Sequence, residues 1–324
     1  MKSLCGPSST LMKMRVVSAV MAALFVFLGL AHPSCASAKT IGVIMSGDLP
    51  HFKDAHNAFV LALAKEGFGK DTVEIYVQSP NPDPMSWTNS VRKFVGVNVD
   101  VIVTYGYPAT DTALRETNSI PVVFSYVYDP EGNGLKKRNS TGISSKVPML
   151  TLLKTLKSIT PYSRLAVIYS PSDKDSKVQF DEISKAAGPV GFQAIGVQVK
   201  NAGEVMGKLA GTKGCDSVYI SSSSAVGVNC PSILGYAAKK NYPAISQISG
   251  LAEKGAILVL APSSAEQGVV AARKVAMILK GGSPAKDSVE SSKQIDLVLN
   301  LKTINKLGLK VPFEILNSAT KVIK

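Results

Sequence analysis

The sequence predicts an α/β protein of two doubly wound parallel-sheet lobes, joined by a hinge that the chain crosses several times. Three observations carry this. Short continuous apolar runs alternate with amphipathic helical stretches, the pattern of parallel strands covered on both faces. The rhythm breaks near Ser144 to Pro148 and restarts with a second set of similar size. A late helix and strand follow once both sets are complete, so the chain must cross back between them. With 324 residues and 45% hydrophobic content there is apolar material for two such cores.

The elements follow in order. TIGVIMS is a strand that ends at Gly47-Asp48-Leu49-Pro50. The next stretch repeats Ala55, Phe59, Leu63 and Phe68 on one helical face and stops at Gly67 and Gly69. VEIYVQ is the second strand, and the helix after it has Pro84 in its first turn. VDVIVTYG, the helix PATDTALRETN and the strand PVVFSYV complete the first set. The second set runs through RLAVIYS, a helix from about Lys174 to Ala187, FQAIGVQV, AGEVMGKLAG, SVYISS, PSILGYAAKKN, AISQIS and GAILVLA. The tail holds a helix from Ser264 closed by Gly281-Gly282, the strand QIDLVLNL and a short helix and turn.

Ahead of the first strand, Lys13 and Arg15 precede an apolar run from Val16 to Ala31, and Ala36-Ser37-Ala38 fits the small-x-small rule. Residues 1–38 therefore read as a signal peptide cut after Ala38, with Met12 or Met14 as alternative starts. The rival is a lipoprotein acylated at Cys35; His32-Pro33-Ser34 lacks the aliphatic residue expected three places upstream of such a Cys. The apolar run is too short for a membrane span, and nothing after residue 38 is long and apolar enough for one. Loss of Lys2, Lys13 and Arg15 lowers the net charge from +13 to +10. No basic run exceeds Lys136-Lys137-Arg138, so nucleic acid is not an expected partner. Cys215 and Cys230 flank a strand of about five residues, whose ends lie roughly 17 Å apart. That is beyond the ~7 Å a disulfide tolerates.

The segments VDVIVTYGYPATDTAL, IPVVFSYVYDPEGNGL and above all IDLVLNLKTINKLGLKVP resemble the ABC-transporter substrate-binding proteins of the tryptophan/tyrosine-type group, which have the type I periplasmic binding protein fold. The resemblance runs in order from Ile41 to Val322. It implies a first lobe of residues 39–145 plus 265–284 and a second of 146–264 plus 285–324. It also implies a monomeric, extracytoplasmic protein that captures a small organic ligand, amino-acid-like or a related aromatic or carboxylate compound, and delivers it to an ABC permease. The alternative is the same fold passing a ligand signal to a membrane kinase or chemoreceptor.

Ligands of open α/β sheets bind beyond the carboxyl ends of the strands. In the first lobe those ends carry Ser46, Asp48, Gly106, Tyr107, Pro108, Ala109, Thr110, Tyr126 and Asp129. Pro108 in the first helical turn leaves the N–H groups of Ala109 and Thr110 as a seat for a carboxylate. Tyr107 and Tyr126 either stack on a flat ligand or pack the strand ends, and the resemblance favours lining. Asp129 and Asp48 either accept from a ligand ammonium or cap their own loops. The second lobe offers the hydroxyls of Ser221, Ser222, Ser223, Ser249 and Ser263. Members of the resembling family carry Asp or Asn where Ser222 to Ser224 stand and acidic residues near Ile248-Ser249. The lack of a carboxylate there counts against an amino-acid ligand.

His51 and His56, at i and i+5, do not share a helical face, so they read as a rim and a surface residue and no metal site is expected. Trp87 reads as core or sheet-facing packing, with a ligand role as the alternative. There is no G-x-S-x-G elbow, phosphate loop or dinucleotide fingerprint, so neither an enzyme nor a cofactor is expected.

Overall fold

Strand β1 (Lys39–Met45) is buried from Ile41 onward, because helices cover both faces of its sheet. The computed structural model describes Met1 and residues 38–324; the expected leader, with Cys35, falls outside the described residues. No described helix is long and apolar enough to cross a membrane.

The first sheet adds β2 (Val73–Gln78), β3 (Val101–Tyr105), β4 (Val122–Val127), β5 (Ser140–Ser144) and β11 (Glu290–Ser291), all parallel, in the order β11-β5-β4-β3-β1-β2. Helices α1 (Pro50–Lys65), α2 (Pro84–Gly96) and α3 (Tyr107–Glu116) connect its first four strands. The order reverses between β3 and β1, which opens a crevice at their carboxyl ends.

The second sheet follows helix α4 (Met149–Ile159). It comprises β6 (Arg164–Tyr169), β7 (Gln193–Gln198), β8 (Ser217–Ile220), β9 (Ala244–Ser246), β10 (Leu258–Pro262), β12 (Ile295–Asn300) and β13 (Lys321–Ile323). Its order is β13-β12-β10-β9-β8-β6-β7, and only the β10–β12 pairing is antiparallel. Helices α5 (Lys174–Val190), α6 (Val205–Gly211), α7 (Ser224–Gly227) and α8 (Cys230–Lys240) link the parallel strands.

Helix α9 (Ser264–Leu279) returns to the first sheet and packs on α1. Gly268 permits the close approach: a Cβ there would lie 2.1 Å from the Ala55 carbonyl oxygen. The return extends beyond the expected boundary at 284, because Glu290–Ser291 pairs with β5. Buried Lys274 anchors this extension, its Nζ lying 2.7 Å from Asp287 and 3.2 Å from Glu290. The tail ends with α10 (Leu301–Lys306) and α11 (Phe313–Ser318) on the second sheet's side.

At the crossings one buried side chain ties the strand ends together. Gln267 Oε1 accepts from the Ser125 hydroxyl (2.9 Å) and the Tyr126 N–H (2.8 Å). Its Nε2 donates to the Ser144 carbonyl (3.0 Å) and to Ser292 Oγ (2.7 Å).

Candidate functional site

Four of the expected first-lobe residues form a closed unit. Gly106 stands at the N-cap of α3 with φ 89°, and a Cβ there would meet Ser46 Oγ at 2.8 Å. Ser46, fully buried at the end of neighbouring β1, donates to the Tyr105 carbonyl (2.8 Å) and accepts from the Ala109 N–H (3.1 Å). The Thr110 N–H bonds the Gly106 carbonyl at 3.3 Å. The two N–H groups expected to seat a carboxylate are thus satisfied by the protein itself, because β1 lies beside β3 and delivers a hydroxyl to the helix start.

The cleft lies one turn further along. A cavity of about 250 Å³ is lined by Pro82, Pro84, Trp87, Tyr107, Pro108, Asp111, Thr112 and Arg115 from the first lobe and by Ser170, Ser172, Asp173, Lys200, Ser223, Ser224 and Ala225 from the second. Tyr107 is only 4% exposed, and burial raises its phenol above the ordinary range. Trp87 is here a wall residue and not plain packing; its indole N–H donates to the Ser46 carbonyl at 3.1 Å. Asp83 caps α2 by accepting from the Ser86 N–H at 2.9 Å, which aims the first turn of that helix at the cavity. Asp111 and Arg115 pair across one helical turn at 3.3 Å.

The second lobe supplies the carboxylate that its serines lack. Asp173 caps α5, accepting from the Ser176 N–H at 3.4 Å, with the Ser223 hydroxyl and Ser224 N–H also bonded to it. Burial pushes its carboxyl up to about 7, against these hydrogen bonds. Asp175 faces away from the cavity and clasps the β4–β5 turn. It accepts from the N–H groups of Tyr128 (2.5 Å) and Asp129 (3.2 Å) and from Asn133 Nδ2 (2.7 Å). Burial, then the neighbouring Asp173 charge, pushes it up to about 8.

Of the expected serines, Ser223 alone lines this cavity. Ser222 bonds Gln179, and buried Ser221 has no hydrogen-bond partner for its hydroxyl. Ser263 caps α9 through the Glu266 N–H. Asp129 caps its own turn at Gly132 (3.1 Å) and lies 3.6 Å from Lys146.

Tyr126 does not line the cavity. It adopts φ 56°, a left-handed conformation costly for an aromatic residue, where the β4–β5 register shifts. This turns its ring onto His51 and Phe52 and its hydroxyl to Ser264 (2.6 Å). His51, expected at the rim, is 2% exposed, and burial followed by the Lys254 charge lowers it to about 3. His56 is half-buried, and burial lowers it too. His51, Asp48 and Ser249 border a second cavity of about 300 Å³ on the other flank of the seam. Exposed Asp48 pairs with Lys53 at 2.5 Å.

Between the two cavities the lobes touch: a Cβ on Gly227 would lie 2.9 Å from Leu49 Cδ1. Cys215 and Cys230 are free, buried thiols. Among the described residues no cluster of His, Cys, Asp or Glu is arranged to hold a metal.

Comparison with known proteins gives this geometry a setting. The profile of the family described as ABC transporter substrate binding protein matches residues 40–323. A tyrosine-binding protein of Clostridioides difficile is 24% identical over 281 residues, covering 84% of this chain and 81% of that one. The structure of an ABC domain in complex with L-Trp from Streptococcus pneumoniae superposes with a TM-score of 0.84 at 23% identity, covering 89% of this chain and 100% of the other. The ligand-free, open structure of a Clostridium difficile substrate-binding protein with adhesive properties, 26% identical and covering 89% and 99%, superposes with a TM-score of 0.63.

Proposed function

Because the chain belongs to the ABC transporter substrate-binding protein family, we propose that it captures an amino-acid-like ligand between its lobes and delivers it to an ABC importer. The observation that carries this is Asp173: a buried carboxylate sharing one cavity with Trp87 and Tyr107. A protonated amine finds a charge-assisted acceptor there, and a flat side chain finds two aromatic walls. Arg115 and Lys200 border the same space and suit the ligand's carboxylate. The serines at 222–224 argued against an amine, but the carboxylate arrives from the neighbouring strand end after β6. A volume of about 250 Å³ suits a single small molecule. The names of the tyrosine-binding relative and the L-Trp complex support the same class.

Members of this family are solute-binding proteins, and capture proceeds by hinge closure. The two flanks of the seam already meet at Leu49 and Gly227, and the chain superposes better on the L-Trp complex than on the open structure. We take the lobes to be residues 39–145 with a return segment reaching Ser292, and the remainder. We place the protein outside the cytoplasm, released as a monomer by cleavage after Ala38; intact-mass analysis of the exported protein checks for an N-terminus at Lys39.

A calorimetric screen of the purified protein against the amino acids, sugars and small organic acids tests the ligand class. Aromatic amino acids are expected to bind, with a drop in the radius of gyration by solution scattering. Binding of a sugar with no response to any amino acid sinks the reading.

A further inference from the structure

The surplus positive charge is not spread over the molecule. Residues 39–144 and 264–292, which carry the first sheet, hold 14 Lys and Arg against 14 Asp and Glu. Residues 145–263 and 293–324, which carry the second, hold 19 against 9. The first lobe is therefore neutral and the second carries the whole +10.

On that lobe, on the far side of Pro231 and Lys254 from the second cavity, a groove of about 600 Å³ runs between α8 and α10. Its wall is apolar, with Leu234, Ala237, Ala238, Tyr242 and Leu307. Lys302 and Lys306 stand one turn apart on one side of α10, and Lys254 borders the groove from the loop after β9. None of the three lysines has an ion-pair partner among the described residues, and no Asp or Glu lines the groove. A second glycine feature fits the shape: Gly235 lies mid-helix in α8, and a Cβ there would meet nothing within 4 Å. The missing side chain deepens the groove and serves no contact inside the protein.

We propose that this groove docks an acidic amphipathic segment of a partner protein, its apolar face against α8 and its carboxylates on Lys254, Lys302 and Lys306. An apolar floor edged by cations of one sign complements such a segment in both shape and charge. A concave seat excludes the flat surface of a bilayer, which favours a peptide over anionic lipid.

The test uses a fluorescent peptide with leucines at i, i+3, i+4 and i+7 and glutamates on the remaining face, read by anisotropy against the purified protein. Saturable binding is expected, weakening as salt is raised. Lys302→Glu/Lys306→Glu should weaken it at least tenfold by charge. Gly235→Leu should do the same by filling the groove, with no loss of thermal stability. Neither substitution touches the ligand cavity, so amino-acid binding should be unchanged in both. Equal binding of a peptide with lysines in place of the glutamates overturns the proposal, as does parental binding by both variants. So does retention on vesicles of anionic lipid with no response to the peptide, or a self-association that Gly235→Leu abolishes.

Discussion

Both lobes place a helix N-terminus at the cleft and fill it with a side chain of their own, but with opposite electrical results. In the first lobe the start of α3 is occupied by the neutral hydroxyl of Ser46. In the second the start of α5 is occupied by the carboxylate of Asp173. A helix start left open attracts anions; closed by Ser46 it is nearly indifferent, and closed by a buried aspartate it presents a carboxyl group that a ligand cation would draw into its charged form. At its helix start the first lobe therefore offers shape, through Trp87, Tyr107 and Pro108, with the charge of Arg115 further along α3, while the helix start of the second offers a carboxyl group. The net charges run the other way, neutral in the first lobe and +10 in the second. The sign presented to a ligand is thus a local property that overall composition does not report.

Four substitution experiments bear on this contrast. The largest effect is expected from Gln267→Leu, which removes four buried hydrogen bonds at the crossings. At about 1 kcal/mol each, more where a partner is left unsatisfied, the loss is on the order of 4 kcal/mol. Thermal unfolding measures it, and an unchanged midpoint means that the crossings are held by something else.

Asp173→Asn should weaken binding of the amino-acid ligand by roughly 10- to 100-fold, the worth of a charge-assisted hydrogen bond of about 1.5–3 kcal/mol. Ser46→Ala should change it by less than about threefold, since a neutral bond inside the first lobe is all that is lost. Equal losses by calorimetry would break the distinction between the two helix starts. Next in size, Trp87→Ala and Tyr107→Ala should each cost about tenfold if a flat group lies between them. Tyr126→Ala should leave affinity almost unchanged while lowering stability, because its ring is spent on His51 and Phe52.

The smallest effect separates the lobes by pH. His51 is depressed on folding from 6.5 to about 3, so the stability linked to its neutral form is present above pH 6.5 and lost as pH falls toward 3. Asp173 and Asp175 are raised from 3.8, so their contribution is full below pH 3.8 and lost as pH rises through about 7 and about 8. In melting curves across pH 4 to 9, His51→Gln should flatten the acid limb and Asp175→Asn the alkaline limb. Two variants that both run parallel to the parent would remove the assignment.

Much of the architecture was legible because strands covered on both faces are continuously apolar. β5 escaped, since STGIS is buried yet contains one aliphatic residue, and β11 and β13 are too short to carry a pattern. At the cavity, the wall positions of Tyr107 and Pro108 follow from their place at a strand end. Ser46 lies at the strand end its sequence predicts, but a strand order does not give a hydroxyl's direction, and this one turns to the start of α3. Asp173 carries no distinct signal, because Asp-x-x-Ser before a helix is the pattern of any N-cap; here the same residue caps α5 and lines the cavity. Trp87 depended on where β2 sits relative to β1. Tyr126 depended on a positive φ that nothing in PVVFSYV announces.

On the proposed closure, the contact of Leu49 with Gly227 is placed to act as a stop. A hinged pair of jaws needs something to fix the gap at which it halts, or the grip would tighten past its contents. If the lobes close as proposed above, the halting distance is set where Leu49 seats against Gly227, which has no Cβ to hold it off. Any larger residue there is a wedge: it leaves both lobes intact and shifts the shut position outward, loosening the hold on small contents before large ones. The size of what can be gripped is written at the seam as much as in the walls around it.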